Sequence, residues 1–355
     1  MLANMSTRIL YDGWPLIYQP DGPATLELSA LLTLAPNGVQ PLVAVPVDSS
    51  PEGFLQGFDL AHMASRDPLH WQQRALPALA KEHSAALIHS IQPGVALFGG
   101  VPSVVSPSGY GRLDPAGRSL RARLGRALGR GGLAQAAVLY PSDIPAPKDS
   151  AANRAVPPAA HPHFSAKAAA PPADLELPES YLLYHGPSHP GTLLGLLESW
   201  TWAAASIGEL YPLVLLGLTE EAKRFVEARL PDFHLDKYVH ILPRVHPAHI
   251  AAIYQASAGL AHPAPPSLWG GPIRLALACG LPVAAQQHPG TAAMVQDAAY
   301  LVEAGDLRGF GAAMITIVVH DQVRGDLQQA AKKISARWEA SAFQSELLKI
   351  YQELA

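Results

Sequence analysis

Glycine, histidine and arginine supply the residues of this 355-residue chain with the clearest types and spacing for ligand chemistry. Trp269-Gly270-Gly271 stands immediately before Pro272 and a run with helical character. A glycine-rich turn that opens a helix lets backbone N–H groups and the positive helix end approach an anion. Pro272 carries no N–H, so Gly271, Ile273 and Arg274 must supply any such contact. The same glycines also serve simply to allow the turn, and sequence alone leaves both readings open. The fifteen histidines raise the question of a metal. His185 and His189 are four apart, but Pro187 and Pro190 interrupt any helix there. His246 and His249 are three apart at a helix start, close enough to share a face. No cysteine, aspartate or glutamate completes a ligand set with either pair, so no metal is expected and the histidines read as loop and surface residues. His185 and His262 end apolar runs and are better placed for ligand contact. Arg244 follows another such run, where by itself it reads as a solvated loop residue. Arg112, Arg118, Arg121, Arg123, Arg126 and Arg130 form a basic stretch in which Leu120, Leu124 and Leu128 recur at helical spacing. Such a helix can rest on anionic lipid or on a partner; the favoured reading is an ordinary helix with a solvated basic face.

These residues need elements to position them, and the apolar pattern supplies short strands alternating with helices. In the first half, Arg8 to Tyr11 and Leu42 to Val47 read as strands, Thr25 to Leu34 as a helix, Trp71 to Glu82 as a helix and Ala85 to Ile91 as a strand. From Pro141 to Pro178 the chain becomes rich in proline and alanine, a composition that cannot sustain a helix or a central strand. It predicts an extended connection, with a short strand near Asn153 to Val156. A second series follows: Tyr181 to His185, Pro212 to Gly217, Tyr238 to Leu242, Ala258 to His262 and Leu281 to Ala285, with helical segments at Thr219 to Leu230 and Pro247 to Ser257. Strands separated by helices predict parallel α/β sheets, in which ligands bind outside the strand carboxyl ends. Two such halves predict a cleft between them.

Composition agrees with two globular cores. Hydrophobic residues make up 49% and charged residues 15%, and the formal net charge is −4. That balance gives no argument for nucleic-acid binding. No apolar run is long enough to span a bilayer, and the first residues lack a signal-peptide core. The single cysteine, Cys279, excludes an intrachain disulfide, and a cytoplasmic location is the expectation.

The second half resembles the donor domain of the group 1, retaining, glycogen-synthase-like glycosyltransferases. The segments that carry the resemblance stand in order: YLLYHG at Tyr181 to Gly186, HILPRVHPAHIAAIYQASAGLAHP at His240 to Pro263, GGPIRLALACGLPVAA at Gly270 to Ala285, DAAYLV at Asp297 to Val302, and ARWEASAFQSELLKIYQEL at Ala336 to Leu354. The first half matches more loosely, at Arg8 to Thr25, Pro102 to Val105 and Val156 to Phe164. The resemblance implies the GT-B fold, two Rossmann-like α/β domains facing across a cleft. The expected division is 1–175 for the acceptor-type domain with its proline-rich connection, 176–337 for the donor-type domain, and 338–355 for a terminal helix that crosses back to the first domain.

The resemblance also implies a nucleotide-sugar ligand held at Gly186, Arg244, Trp269, Gly270, Gly271 and Ile273. Transfer from such a donor leaves negative charge on the pyrophosphate and positive character on the sugar, and so calls for donors and cations near one and carboxylates near the other. At the family's two glutamate positions this sequence has Ser267 and Leu275. At its phosphate-binding basic pair it has Pro190 and Gly191, with His189 the only nearby group able to become cationic. Ser108 and Gly109 replace a His-Asp pair, and Pro158 and Ala159 an Asn-Gly pair. Leucine has no acceptor, and serine carries no charge. The expectation is a glycosyltransferase-like protein of weak or altered activity, or else a catalytically silent homologue acting as a binding or scaffolding subunit beside a partner glycosyltransferase. No catalytic residue is assigned and no cofactor is implied. The acceptor is not specified by the sequence, and contact with a membrane surface rests only on the basic stretch.

Overall fold

The computed structural model describes all residues except 1–6, 47–54, 56, 93–94, 109–119, 147–152, 168–169 and 173–174. Its strands form two sheets, each parallel throughout. The first contains β1 (Thr7–Asp12), β2 (Val39–Pro46), β3 (Asp59–Met63), β4 (Leu87–Ser90), β5 (Ser103–Val105), β6 (Ala137–Pro141) and β7 (Asn153–Val156). Their spatial order is β3-β2-β1-β4-β5-β6-β7. The second contains β8 (Leu182–Tyr184), β9 (Leu213–Leu215), β10 (Val239–Ile241), β11 (Gly259–His262), β12 (Val283–Gln286) and β13 (Tyr300–Val302), in the order β10-β9-β8-β11-β12-β13. Strand order reverses between β1 and β4 in one sheet and between β8 and β11 in the other. Those are the switch points where a parallel sheet opens a crevice at its carboxyl edge.

The central strands are uninterrupted apolar runs because helices cover both faces of each sheet. β8, β9 and β11 are buried along their whole length. The proline-rich connection contributes β7, which pairs only with β6 at the edge of the first sheet, the position that proline-rich chain tolerates best. The Pro68–Glu82 helical run contains one π turn at Trp71–Ala75, which seats the fully buried Trp71 indole against Asp12 at 2.8 Å. The basic stretch forms the helix Leu120–Leu133; Arg112 and Arg118 lie outside the described residues.

Several histidines have a plain structural explanation. His189-Pro190, His246-Pro247 and His288-Pro289 each open a helix, with the histidine as N-cap. In each, Nδ1 accepts the amide two residues on, at 3.1, 3.3 and 3.1 Å. The proline after it needs no N–H acceptor and has the right φ for a first helical residue. His189, the one group near the expected phosphate site able to become cationic, is therefore held as an acceptor.

The terminal helix Ala340–Leu354 returns to the first sheet. Phe343, Leu347, Ile350 and Tyr351 join the core built on Ile9, Tyr11 and Val43. The Tyr351 hydroxyl meets the Tyr11 hydroxyl at 3.1 Å and His89 Nδ1 at 2.5 Å, all three groups fully buried. No described helix is long and apolar enough to cross a membrane.

Candidate functional site

The two switch points face one another, and the chain between β1 and the Pro23–Thr33 helix closes the space between them. His185 and Gly186 follow β8 directly, beside the end of β11 at His262. The Asp21 carbonyl oxygen lies 3.0 Å from His185 Nε2. A carbonyl only accepts, so the imidazole carries its proton on Nε2, and Nδ1 accepts from the Tyr254 hydroxyl at 2.9 Å. The Asp21 carboxylate accepts the Val245 amide at 3.1 Å. Gln19 Nε2 donates to the Gly217 carbonyl at 2.7 Å. Gly217 has φ +70°, and a Cβ there would come within 2.4 Å of the Asp21 carbonyl oxygen. Close approach of the domains therefore depends on a glycine at this point.

Burial decides the charges here. It lowers His185 to about 3 and His262 to about 4, so both rings are neutral at neutral pH. Burial raises the Asp21 carboxyl, against the Val245 amide bond and the charges of Lys223 and Arg244. Arg244 itself is exposed, one residue from the Val245 amide.

The glycine turn adopts the geometry its sequence requires. Gly270 has φ +81° and caps the Gly271–Ala278 helix, and Gly271 has φ +41°. The Ile273 and Arg274 amides both donate to the Gly270 carbonyl, at 3.1 and 3.3 Å. The Ile273 side chain is fully buried in the second domain's core. Trp269 packs edge-on against Phe343 of the terminal helix, ring centres 6.1 Å apart. Gly186 is buried against Tyr184, whose ring would lie 2.8 Å from a Cβ at that position. The six residues expected around a nucleotide all belong to the second domain; Trp269 and Gly271 line the inner cavity and Arg244 is exposed.

Two charged side chains in the cleft went unrecognised in the sequence reading. Arg274, 3% exposed, makes a two-pronged ion pair with Asp143, which follows β6 of the other domain; both N–O distances are 3.0 Å. Its Nε donates to the Trp269 carbonyl, and its guanidinium lies over Trp338. Glu27 is the second. It projects from the Pro23–Thr33 helix and is hydrogen-bonded by Ser267 and Ser108. Ser267 and Ser108 are positions at which the resemblance implies charged residues, and the Glu27 carboxylate from the first domain meets both serines. Burial raises Glu27 to about 7, opposed by the two serine bonds and the charge of Arg274. One sequence signal was available: an acid between Leu26 and Leu28, the one charged residue in the helix Pro23–Thr33.

A cavity of about 50 Å³ lies at the foot of the cleft, between Leu26, Glu27 and Leu31 on one side and Trp269, Leu275 and Phe343 on the other. As it stands it has room for about four water-sized groups. Among the described residues no cluster of three or more His, Cys, Asp or Glu side chains has metal-binding geometry.

Comparison with known proteins agrees with this architecture. The family model for group 1 glycosyl transferases matches residues 193–320, all on the second-sheet side. No curated protein matches the sequence. Among solved structures, sucrose-phosphate synthase from Thermosynechococcus elongatus is 16% identical, with 98% of this chain and 99% of that one aligned at a TM-score of 0.67. WaaG, a glycosyltransferase involved in lipopolysaccharide biosynthesis, is 14% identical over 97% and 99%, also at 0.67. HepE of Anabaena, in complex with UDP and glucose, is 14% identical over 98% and 99%, at 0.68. The chain accordingly has the GT-B fold, and its second domain is similar to that of the group 1 glycosyl transferases.

Proposed function

We propose that this chain is a glycosyltransferase-like protein that binds a nucleotide sugar in the cleft and transfers from it weakly or not at all. The observation that carries this reading is the seal at the second sheet's switch point, where Asp21 is hydrogen-bonded to His185 and Val245. A pyrophosphate leaving group needs preorganised donors and cations. His185 and His262 are neutral, the Arg274 guanidinium is held by Asp143, and Gly191 stands where the family has a basic residue. HepE structures contain UDP and UDP-glucose, which makes uridine nucleotides the natural first ligands to try. The proposed contacts on the donor side are Gly186, Arg244, Trp269, Gly270, Gly271 and Ile273, and the working division of the chain is 1–175, 176–337 and 338–355. A cytoplasmic setting fits the single buried cysteine.

The second reading is a silent subunit that binds or scaffolds a partner glycosyltransferase. It is favoured by the same interdomain bonds, which hold the edges of the two sheets together. One experiment separates the two. UDP and UDP-glucose are titrated into pure protein by calorimetry, and donor consumption is followed with and without candidate acceptors. Saturable binding with slow turnover supports the first reading, and absence of binding supports the second. Rapid turnover by the isolated chain would refute both.

A further inference from the structure

We propose that the outer helical face of the first domain docks on an anionic lipid surface, with Phe98 entering the headgroup boundary and Arg74, Lys81, Arg123 and Arg130 meeting the lipid phosphates. The face lies outside the cleft, and the inference depends neither on nucleotide binding nor on transfer.

The topology builds this face. The helical run Pro68–Glu82 links β3 to β4, and the helix Leu120–Leu133 links β5 to β6. Both crossovers advance in the same sense along the sheet order, and right-handed crossovers of one sense put their helices on one side of the sheet. The segment between β4 and β5 bridges the two helices. Its Val95 carbonyl and Leu97 amide both bond to the Gln73 side chain, at 2.9 and 3.0 Å. Leu97 lies against Gly131, and Gly99 against Pro77. Phe98 stands between these anchored neighbours and is 84% exposed, the most of any large apolar side chain among the described residues. A tethered segment thus holds a phenylalanine out in water, where its apolar area contributes nothing to the fold.

Cations surround that ring. His70, Arg74, Ala78 and Lys81 recur at helical spacing and are all exposed. His70, Arg74 and Lys81 share one open groove with Phe98, and no acid lines it. On the neighbouring helix Arg123, Leu124 and Arg130 are exposed. The sequence from Pro115 to Ser142 holds five arginines and no acid. The acids of the first helical run stand at its two ends, Asp67 as N-cap and Glu82 as the last residue. Among the described residues, none of Arg74, Lys81, Arg123 and Arg130 has a carboxylate partner. The formal net charge of the chain is −4, so this positive charge is local.

Charge and apolar area together name the occupant. Unpaired cations on long stems meet lipid phosphates while an aromatic ring among them enters the boundary of headgroups and acyl chains. A soluble polyanion would answer the cations and leave the ring in water. No described helix is long and apolar enough to cross a membrane, so the contact is with its surface.

The test is co-sedimentation of the full chain with vesicles of phosphatidylcholine alone, and with vesicles of phosphatidylcholine and phosphatidylglycerol in equal parts. The protein should bind the second and not the first. Binding should weaken between about 0.1 M and about 1 M salt, as the screening length falls from about 10 to about 3 Å. Each cation near such a surface contributes about fivefold, so the double variant Arg123→Gln/Arg130→Gln should bind about 25-fold more weakly. Phe98→Ser should weaken binding by about tenfold or more. All three side chains are exposed, so neither variant disturbs a core. Heparin, a polyanion with no apolar phase, is the control for charge alone and should be indifferent to Phe98→Ser. Vesicle binding equally indifferent to that change would make the face a general polyanion site and overturn the proposal. So would absence of binding to the anionic vesicles, equal binding to phosphatidylcholine, or binding unchanged in the double arginine variant.

Discussion

The backbone carbonyl of Asp21, in the first domain, accepts a hydrogen bond from His185 Nε2, at the end of β8 in the second, over 3.0 Å. The bond joins the carboxyl edges of the two sheets where each would otherwise open its ligand crevice. It also sets the histidine's tautomer, and so makes the Tyr254 hydroxyl a donor to Nδ1. Gly217 makes this approach sterically feasible, with its own carbonyl held by Gln19.

Gly217→Ala should therefore loosen the join between domains. The new methyl would meet the Asp21 carbonyl at 2.4 Å, on a backbone with φ +70° that alanine rarely adopts. Overpacking of this kind costs about 1–3 kcal/mol. Urea unfolding should show that loss, and small-angle scattering should show a more open particle. A variant as stable and as compact as the parent would mean that the contact is not holding the domains.

Asp143→Asn should be among the more damaging single changes. It leaves the buried Arg274 charge without its counter-ion, and breaking a buried pair in this way costs about 3–5 kcal/mol. Asp143 keeps 22% of its side-chain exposure, so the lower end of that range is expected. Chemical denaturation measures the loss directly. An effect below about 1 kcal/mol, the scale of surface ion pairs, would place Arg274 in a wetter setting than the structure gives it.

Glu27 makes stability fall as pH rises. Its carboxyl ionises near 4.5 in the unfolded chain but only at about 7 in the folded protein. Protons are thus lost first from the unfolded state, so this group's contribution is complete below about pH 4.5 and is lost as pH rises through about 7. The shift corresponds to about 3 kcal/mol at most. Glu27→Gln removes the titration while keeping a polar side chain. Comparing unfolding free energies at pH 5 and pH 7.5, the parent should lose more stability over the interval than the variant. The lowered histidines, such as His161 and His185, act in the opposite sense in both proteins and cancel in the comparison. Equal slopes would show that Glu27 is already ionised in the folded state at pH 5.

Tyr351→Phe tests the terminal helix. The substitution removes the hydroxyl shared by Tyr11 and His89, leaving buried groups with fewer partners. Such an orphaned group costs about 1–3 kcal/mol. Hydrogen exchange in the Ala340–Leu354 helix should accelerate ahead of exchange in the second sheet. Uniform acceleration throughout would indicate that the helix is not an independent clasp on the first domain.

The local elements were legible in the sequence because their causes are local. Apolar runs such as PLVLLG and LPVAA can only be strands buried on both faces, and the runs between them keep helical spacing. The proline-rich connection could be given an edge strand and nothing more central, and β7 is that strand. β3 and β6 were missed because their short apolar runs adjoin loops and the proline-rich connection, so pattern alone did not separate them. The departures at Ser267, Leu275 and Gly191 are expectations that rest on the resemblance. The contacts of the buried charges in the cleft could not be read from the sequence. Glu27 lies 240 residues from Ser267 and Asp143 lies 131 from Arg274, and neither pair has any periodicity to betray it. Only the packing of one sheet's edge against the other brings these groups together. Burial, which exists only after that packing, then makes His185 a neutral donor and holds Glu27 near the middle of the pH range.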